Sequence, residues 1–409
     1  MNKYIDRYIS DMNREFYYNL CNKKYIKSKK LTALTVSNGI VVPPKNPRYY
    51  KGETEGLFGT GGVVDDKYNY VTISAQLAKN MNARISSIEK FDEKYDIVHE
   101  KVIYMNFFIK QWGHYLIDVI GRLWYALKNI DIKIVYTCYQ GEINKIEGNY
   151  LELLELMGID KNRIILINKP TKFDEVIVPE MSIYPGDYYT KEYVEMFDII
   201  VKNADIGEIE KNKKVYCSRM NFGKNNKKEF GEDIIEKNLL DNNFVPVYME
   251  KLTLKEQIQL INNSEIIIMT CGSLSHNLLF SRNKNSIYIF NKTYRLNLHQ
   301  FLVNEISGGE ACFIDAYVSP LPILYGYGPF IIRYTKEFAN FMADNDFEAT
   351  CKISNVPILL RIKYYFIYLI SYRKFIFGFK KIQESSSGEY ELSFKKIRQN
   401  YILYLKNNR

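Results

Sequence analysis

Ile266-Ile267-Ile268-Met269-Thr270-Cys271-Gly272-Ser273-Leu274-Ser275-His276-Asn277 reads as a buried strand, a small-residue turn and the start of a helix. Consecutive large apolar residues suit a strand covered on both faces, as in a parallel sheet. Gly272 permits close approach of a ligand to the backbone, and N–H groups exposed at a helix start attract an anion. A plain strand-to-helix turn is the alternative, because the stretch carries neither a full dinucleotide fingerprint nor a Walker pattern.

The same alternation extends in both directions. Upstream lie a strand at Val215–Cys217, a helix at Glu232–Leu240, a strand at Phe244–Tyr248 and a helix at Thr253–Asn262. Downstream come a helix at Ser275–Ser281 and a strand at Ser286–Phe290. Together they predict a Rossmann-like half. An earlier α/β pattern precedes it. The turn Gly59-Thr60-Gly61-Gly62 leads into Val63-Val64, and Val102–Met105 forms an apolar run. A helical stretch is expected from about Gly113 to Lys128, then a strand at Ile132–Tyr136 and a helix at Tyr150–Met157. Strands at Ile164–Ile167 and Val176–Val178 and a helix at Thr190–Val201 complete a parallel α/β sheet. Asn203–Gly207 is the expected linker.

The 409 residues suit two α/β domains, each under about 200 residues. The expected division is 1–205, 206–322 and a basic, aromatic helical tail over 323–409. That tail either packs back on the N-terminal domain or docks on membrane.

Hydrophobic residues at 46% and charged residues at 25% are ordinary for a folded chain. A net charge of +9 favours polyanionic partners. Its Lys and Arg concentrate from Lys352 to Arg409, which indicates one local basic surface rather than a nucleic-acid groove. No nucleic-acid partner is therefore expected. The six cysteines form no CxxC pair and no zinc spacing, consistent with a reduced, cytosolic chain. No stretch reaches about 18 uninterrupted apolar residues. Tyr364–Phe379 comes nearest but contains Arg373 and Lys374; it belongs either at a membrane interface or packed on the protein's own surface.

Two further blocks carry chemistry. In Trp112-Gly113-His114-Tyr115-Leu116-Ile117-Asp118-Val119-Ile120-Gly121-Arg122-Leu123-Trp124, the residues His114, Asp118 and Arg122 are four apart and share one helix stripe. A His with a carboxylate one turn away suits general-base work. Arg122 suits a phosphate or an acidic acceptor group. The alternative is a surface ion pair between Asp118 and Arg122, with His114 merely starting the helix. In the second block, Tyr216-Cys217-Ser218-Arg219 ends a strand and is followed by Lys224, Lys228 and Glu232. An Arg outside a strand's carboxyl end, with lysines behind it, suits a diphosphate. A solvated basic loop is the alternative.

In this order, the three blocks resemble glycosyltransferase family 61, which includes bacterial capsular-polysaccharide proteins, plant xylosyltransferases and the animal EGF-domain O-GlcNAc transferase. Gly113 to Trp124 matches the family's Gly-His-aromatic-Leu-x-Asp segment ending in Arg-Leu-Trp. Tyr216–Arg219 matches its Tyr-x-Ser-Arg strand end, with Lys228 and Gly231-Glu232 where a basic residue and Asn-Glu usually stand. Glu250-x-Leu252-Thr253 with Gln257 matches its Glu-x-Leu-Thr/Ser block. The family's His-Gly-Ala-Gly-Leu-Thr-Asn turn departs most: Cys271 replaces the His and Leu274 the second Gly.

The resemblance implies a GT-B architecture of two Rossmann-like domains facing a cleft, and an inverting transfer from a nucleotide sugar, with UDP as the nucleotide. The acceptor is a glycan or lipid-linked glycan in surface or capsular polysaccharide synthesis. The expected location is the cytoplasm, with the inner membrane surface as a further partner. It also implies no cofactor and no metal. Asp118 or His114 is the base. Arg122, Arg219, Lys224, Lys228, Glu232, Glu250, Gly272, Ser273, Leu274, Ser275 and Asn277 bind substrate, the last five around the donor turn. A catalytically degenerate nucleotide- or glycan-binding relative is the alternative.

Overall fold

The computed structural model describes residues 2–21, 25, 27, 29–46, 58–76, 85–142, 144–221, 229–294, 297–308, 311–323, 328–383 and 402. Lys224 and Lys228 lie outside the described residues. The chain is a mixed α/β protein of two compact units. The first unit is Lys24–Asp205 with Thr253–Lys255; the second is Met1–Lys23 with Ile206–Leu252 and Glu256–Arg409. Helices α1 (Asn2–Tyr8) and α2 (Asp11–Cys21) open the chain as part of the second unit.

The first unit is built on strands β1 (Ala33–Ser37), β2 (Ile40–Val42), β3 (Gly62–Val64), β4 (Asp96–Phe107), β5 (Lys133–Thr137), β6 (Ile164–Ile167) and β7 (Thr171–Pro179). Its order is β3-β2-β7-β4-β5-β6, with β1 also on β7. Only β7-β4-β5-β6 are parallel, so the sheet is mixed, unlike the parallel one expected. β1 and β2 run end to end and antiparallel along β7. Asn38 between them adopts φ 53, a left-handed conformation that Asn tolerates. β2 and β3 are three-residue runs buried at every position, and such short apolar runs carry no signal of strand direction. Val41, Val63, Val102, Tyr104, Val135 and Val176 form one core cluster.

The helix expected from Gly113 to Lys128 is helical but broken. It comprises α3 (Trp112–His114), a π turn at Tyr115–Val119, a 3-10 turn at Ile120–Arg122 and α4 (Leu123–Ala126). Outside donors take its carbonyls. Tyr193 donates to Leu116 O at 2.8 Å, Gln76 to Asp118 O at 2.6 Å, and Ser182 to Gly121 O at 2.7 Å through both backbone and hydroxyl. Such insertions into the i→i−4 ladder bend helices. Gly121 sits where a Cβ would come within 2.7 Å of Met181 Cε and 3.1 Å of Ile183 Cγ2. Helix α5 (Asn149–Leu156), the hairpin β8 (Ile183–Tyr184) and β9 (Tyr188–Tyr189), and α6 (Lys191–Ala204) follow. α6 buries Tyr193, Met196, Phe197, Ile200 and Val201 at helical spacing.

The second unit carries β10 (Glu210–Cys217), β11 (Glu229–Phe230), α7 (Asp233–Leu240), β12 (Phe244–Val247), α8 (Leu254–Asn263), β13 (Ser264–Thr270) and β14 (Ser286–Asn291). It continues with α9 (Leu298–Ser307), β15 (Ala311–Asp315), β16 (Tyr317–Val318), β17 (Phe330–Ile332), α10 (Lys336–Asp344) and α11 (Ile358–Gln383). The main sheet runs β12-β10-β13-β14-β15, all parallel, as the buried run at Ile266–Met269 predicts. The expected helix at Ser275–Ser281 is a 3-10 helix over Ser275–Phe280. Tyr8 of α1 joins Tyr216, Ile268, Phe290, Ile314, Phe338 and Phe341 in the core. Asp315, at the end of β15, accepts from the Ser10 N–H at 3.0 Å and the Ser10 hydroxyl at 2.7 Å, which ties the α1–α2 turn to this sheet.

Candidate active site

In the second unit, strand order reverses between β10 and β13: the chain leaves β10 toward β12 and returns to the other side. Ligands of open α/β sheets bind at such switch points, outside the carboxyl ends of the strands. Cys217 of β10 is in register with Met269 of β13, so Ser218-Arg219 and Cys271-Gly272 leave the sheet side by side. The Arg219 N–H donates to Glu232 Oε1 at 2.7 Å, and the Tyr216 hydroxyl donates to the same oxygen at 2.8 Å. Glu232 is buried and braces the turn that presents Arg219, so this oxygen faces the protein rather than a ribose.

Glu229, also buried, holds Lys292 Nζ at 2.9 Å and lies 3.5 Å from Arg219 Nε. Lys292 Nζ is 3.5 Å from the point a Cβ on Gly272 would occupy, and Gly272 adopts φ +146. Two cations thus share one carboxylate, one of them, Lys292, beside the glycine turn. Burial pushes the Cys271 thiol up to about 11, so it is neutral at physiological pH. Lys292 and Glu229 were not anticipated from motifs. Lys292 follows β14 directly, so the strand-end rule that selected Arg219 also reaches it. Glu229 follows the lysine-rich sequence Lys224–Lys228 and carries no periodic signal.

The donor-turn residues divide. Ser273 is exposed and Leu274 half-buried, and their N–H groups have no hydrogen-bond partner among the described residues. Ser275 is buried; its N–H donates to Gly272 O at 3.1 Å, and its hydroxyl accepts the Gly272 N–H at 3.0 Å. Asn277 is buried and donates to Gln257 Oε1 at 2.8 Å. Gln257 in turn donates to Met249 O at 3.0 Å and Leu252 O at 3.1 Å. That chain fixes the loop carrying Glu250, which is itself exposed beyond the end of β12.

In the first unit, the broken helix brings His114 and Asp118 together, with His114 Nδ1 2.5 Å from Asp118 Oδ2. The Asp118 side chain is 1% exposed and that of His114 24%. The edge of Phe58 meets the imidazole at 5.6 Å between centroids. Arg122 is elsewhere. It is fully buried, with Nε donating to Asn106 Oδ1 at 2.8 Å, Nη2 to Ile73 O at 2.8 Å and Ala75 O at 3.2 Å, and Nη1 to Pro179 O. Burial lowers its pKa to about 10, still charged at neutral pH. With its donors on these groups, Arg122 forms no surface ion pair with Asp118 and faces the interior instead of a phosphate. Asn106, at φ 108 in a β4 bulge, supplies part of this socket.

Residues 112–288 match the family model Glycosyltransferase 61, in agreement with the resemblance carried by the motifs, and this match suggests glycosyl transfer. Comparison with curated proteins gives no match. Among the described residues, no helix is long and apolar enough to cross a membrane.

Proposed function

We propose that the protein is an inverting glycosyltransferase of GT-B type, acting on the cytoplasmic side. It transfers a sugar from a nucleotide-sugar donor, a UDP-sugar, to a hydroxyl of a glycan or lipid-linked glycan in surface or capsular polysaccharide synthesis. The observation that carries this is that Lys292, beside Gly272, and Arg219 share the Glu229 carboxylate at the switch point; Arg219, Glu229 and Gly272 lie inside the matched segment. Fixed cations and exposed amides at that position stabilise charge growing on a departing diphosphate. The N–H groups of Ser273 and Leu274 serve the same oxygens, and Glu250 reaches the nucleoside.

His114 is the base. Asp118 Oδ2 accepts a hydrogen bond from the Nδ1–H, which leaves the Nε2 lone pair for the acceptor. The acceptor hydroxyl gives its proton to His114 Nε2 as its oxygen forms the bond to the anomeric carbon. The bond from that carbon to the diphosphate oxygen breaks, and the nucleoside diphosphate leaves with the electron pair. Asp118 orients the ring and stabilises the imidazolium.

A binding relative without turnover remains the competing account, motivated by Cys271 in place of the family's His. Incubation with a panel of nucleotide sugars, with and without glycan acceptors, separates the two. Acceptor-dependent release of nucleoside diphosphate supports transfer. Binding of the nucleotide sugars with no release across the panel supports the non-enzymatic account.

A further inference from the structure

The packed face of α11 is formed by Leu360, Tyr364, Tyr368 and Ser371, at helical spacing and turned toward the protein. Tyr364 joins Ile331 and Val356 in a core cluster, and the Tyr368 hydroxyl donates to Pro322 O at 2.7 Å. Among the described residues, the opposite face is equally apolar and is exposed. Ile358 is 75% exposed, Leu359 81%, Ile362 60%, Phe366 66% and Leu369 63%. On a repeat of 3.6 residues these side chains fall within an arc of about 100°, as wide as the buried stripe of an ordinary surface helix. Arg361 and Lys363 flank the arc on its two sides, and Arg373 extends it toward the helix C-terminus.

The charge of this region fits one kind of cover. α11 contains Arg361, Lys363, Arg373, Lys374, Lys380 and Lys381 and no Asp or Glu. From Lys352 to Arg409 there are twelve Lys or Arg against three Glu, a formal +9 that equals the net charge of the whole chain. An apolar strip edged by cations is the pattern of a helix lying in a membrane interface, and juxtaposed lysines and arginines add attraction to anionic headgroups. A second copy of the same face would instead set like charges against each other.

We propose that α11 docks the protein on an anionic lipid surface, with Ile358, Leu359, Ile362, Phe366 and Leu369 entering the acyl boundary and Arg361, Lys363 and Arg373 meeting headgroups. The proposal is independent of the transfer chemistry, since none of these residues belongs to the candidate active site. The test is cosedimentation of the full chain with phosphatidylcholine vesicles and with vesicles in which part of the lipid is phosphatidylglycerol. Binding should require the anionic lipid and weaken with added salt. I362E/F366E should lose binding by about tenfold or more, with an unchanged melting temperature and unchanged nucleotide affinity. Neutral vesicles binding as well as anionic ones, or a variant that binds like wild type, overturns the proposal. A dimer in sedimentation that I362E/F366E splits, with lipid binding intact, also overturns it and assigns the face to a second copy.

Discussion

His114 Nδ1 faces a buried Asp118 carboxylate at 2.5 Å, while the His114 side chain stays about a quarter exposed. The ring is therefore anchored at Nδ1 while part of the side chain stays open to solvent. The π turn at Tyr115–Val119 follows His114 directly and contains Asp118, and π turns recur at functional sites.

Asp118→Asn separates orientation from protonation. An Asn presents either an acceptor or a donor to Nδ1, and the donor selects the wrong tautomer. Turnover should fall by about a hundredfold or more, while nucleotide affinity, set in the other unit, stays within about twofold. His114→Ala should lose turnover further. Steady-state rates with calorimetric nucleotide titration check both, and full activity in both variants removes this pair from the chemistry.

Lys292→Ala should weaken nucleoside diphosphate binding by about tenfold to a hundredfold, the worth of one charge-assisted contact. Glu229→Gln tests the tether: Lys292 keeps its charge and loses its anchor. Its predicted effect is smaller, and it should lie in turnover more than in affinity. Identical constants for both variants and wild type place the diphosphate elsewhere.

Arg122→Met removes a buried cation while leaving the Asn106, Pro179, Ile73 and Ala75 oxygens without their donor. Loss of several buried hydrogen bonds to a charged partner costs on the order of 3–5 kcal/mol. The expected result is a large drop in unfolding free energy by denaturant titration. A variant as stable as wild type contradicts the structural role and returns Arg122 to consideration as a ligand.

Asp315 gives a pH signature. Burial raises its carboxyl from the ordinary 3.8 to about 6, against the opposing hydrogen bonds from Ser10 and Asn291. The folded state therefore holds this proton more tightly than the unfolded chain. The associated stability is fully present below about pH 4 and is lost as pH rises through about 6, a change of about 3 kcal/mol. Subtracting the Asp315→Asn profile of unfolding free energy against pH from that of wild type should isolate this slope. A flat difference between pH 4 and 7 contradicts it.

Much of this was legible in the sequence because it is local. Ile164–Ile167 is a strand with the expected bounds, and the expected strands Ile266–Met269 and Ser286–Phe290 lie inside the parallel strands β13 and β14. The His114–Asp118 contact follows from residues one turn apart. What stayed hidden is long-range. Arg122 looked like the third member of a polar stripe, yet its partners lie at residues 73, 75, 106 and 179. The same outside donors that break the helix cannot be read from its own periodicity. Lys292 meets Glu229 across 63 residues, and only the sheet order brings them together.

The most direct test of the central claim is calorimetric titration of UDP into wild type and Arg219→Ala, with melting curves of both. The account predicts measurable binding by wild type and a loss of at least about tenfold in the variant, with the melting temperature unchanged. Equal affinity in the two proteins would show that the nucleotide does not bind at the β10–β13 switch point.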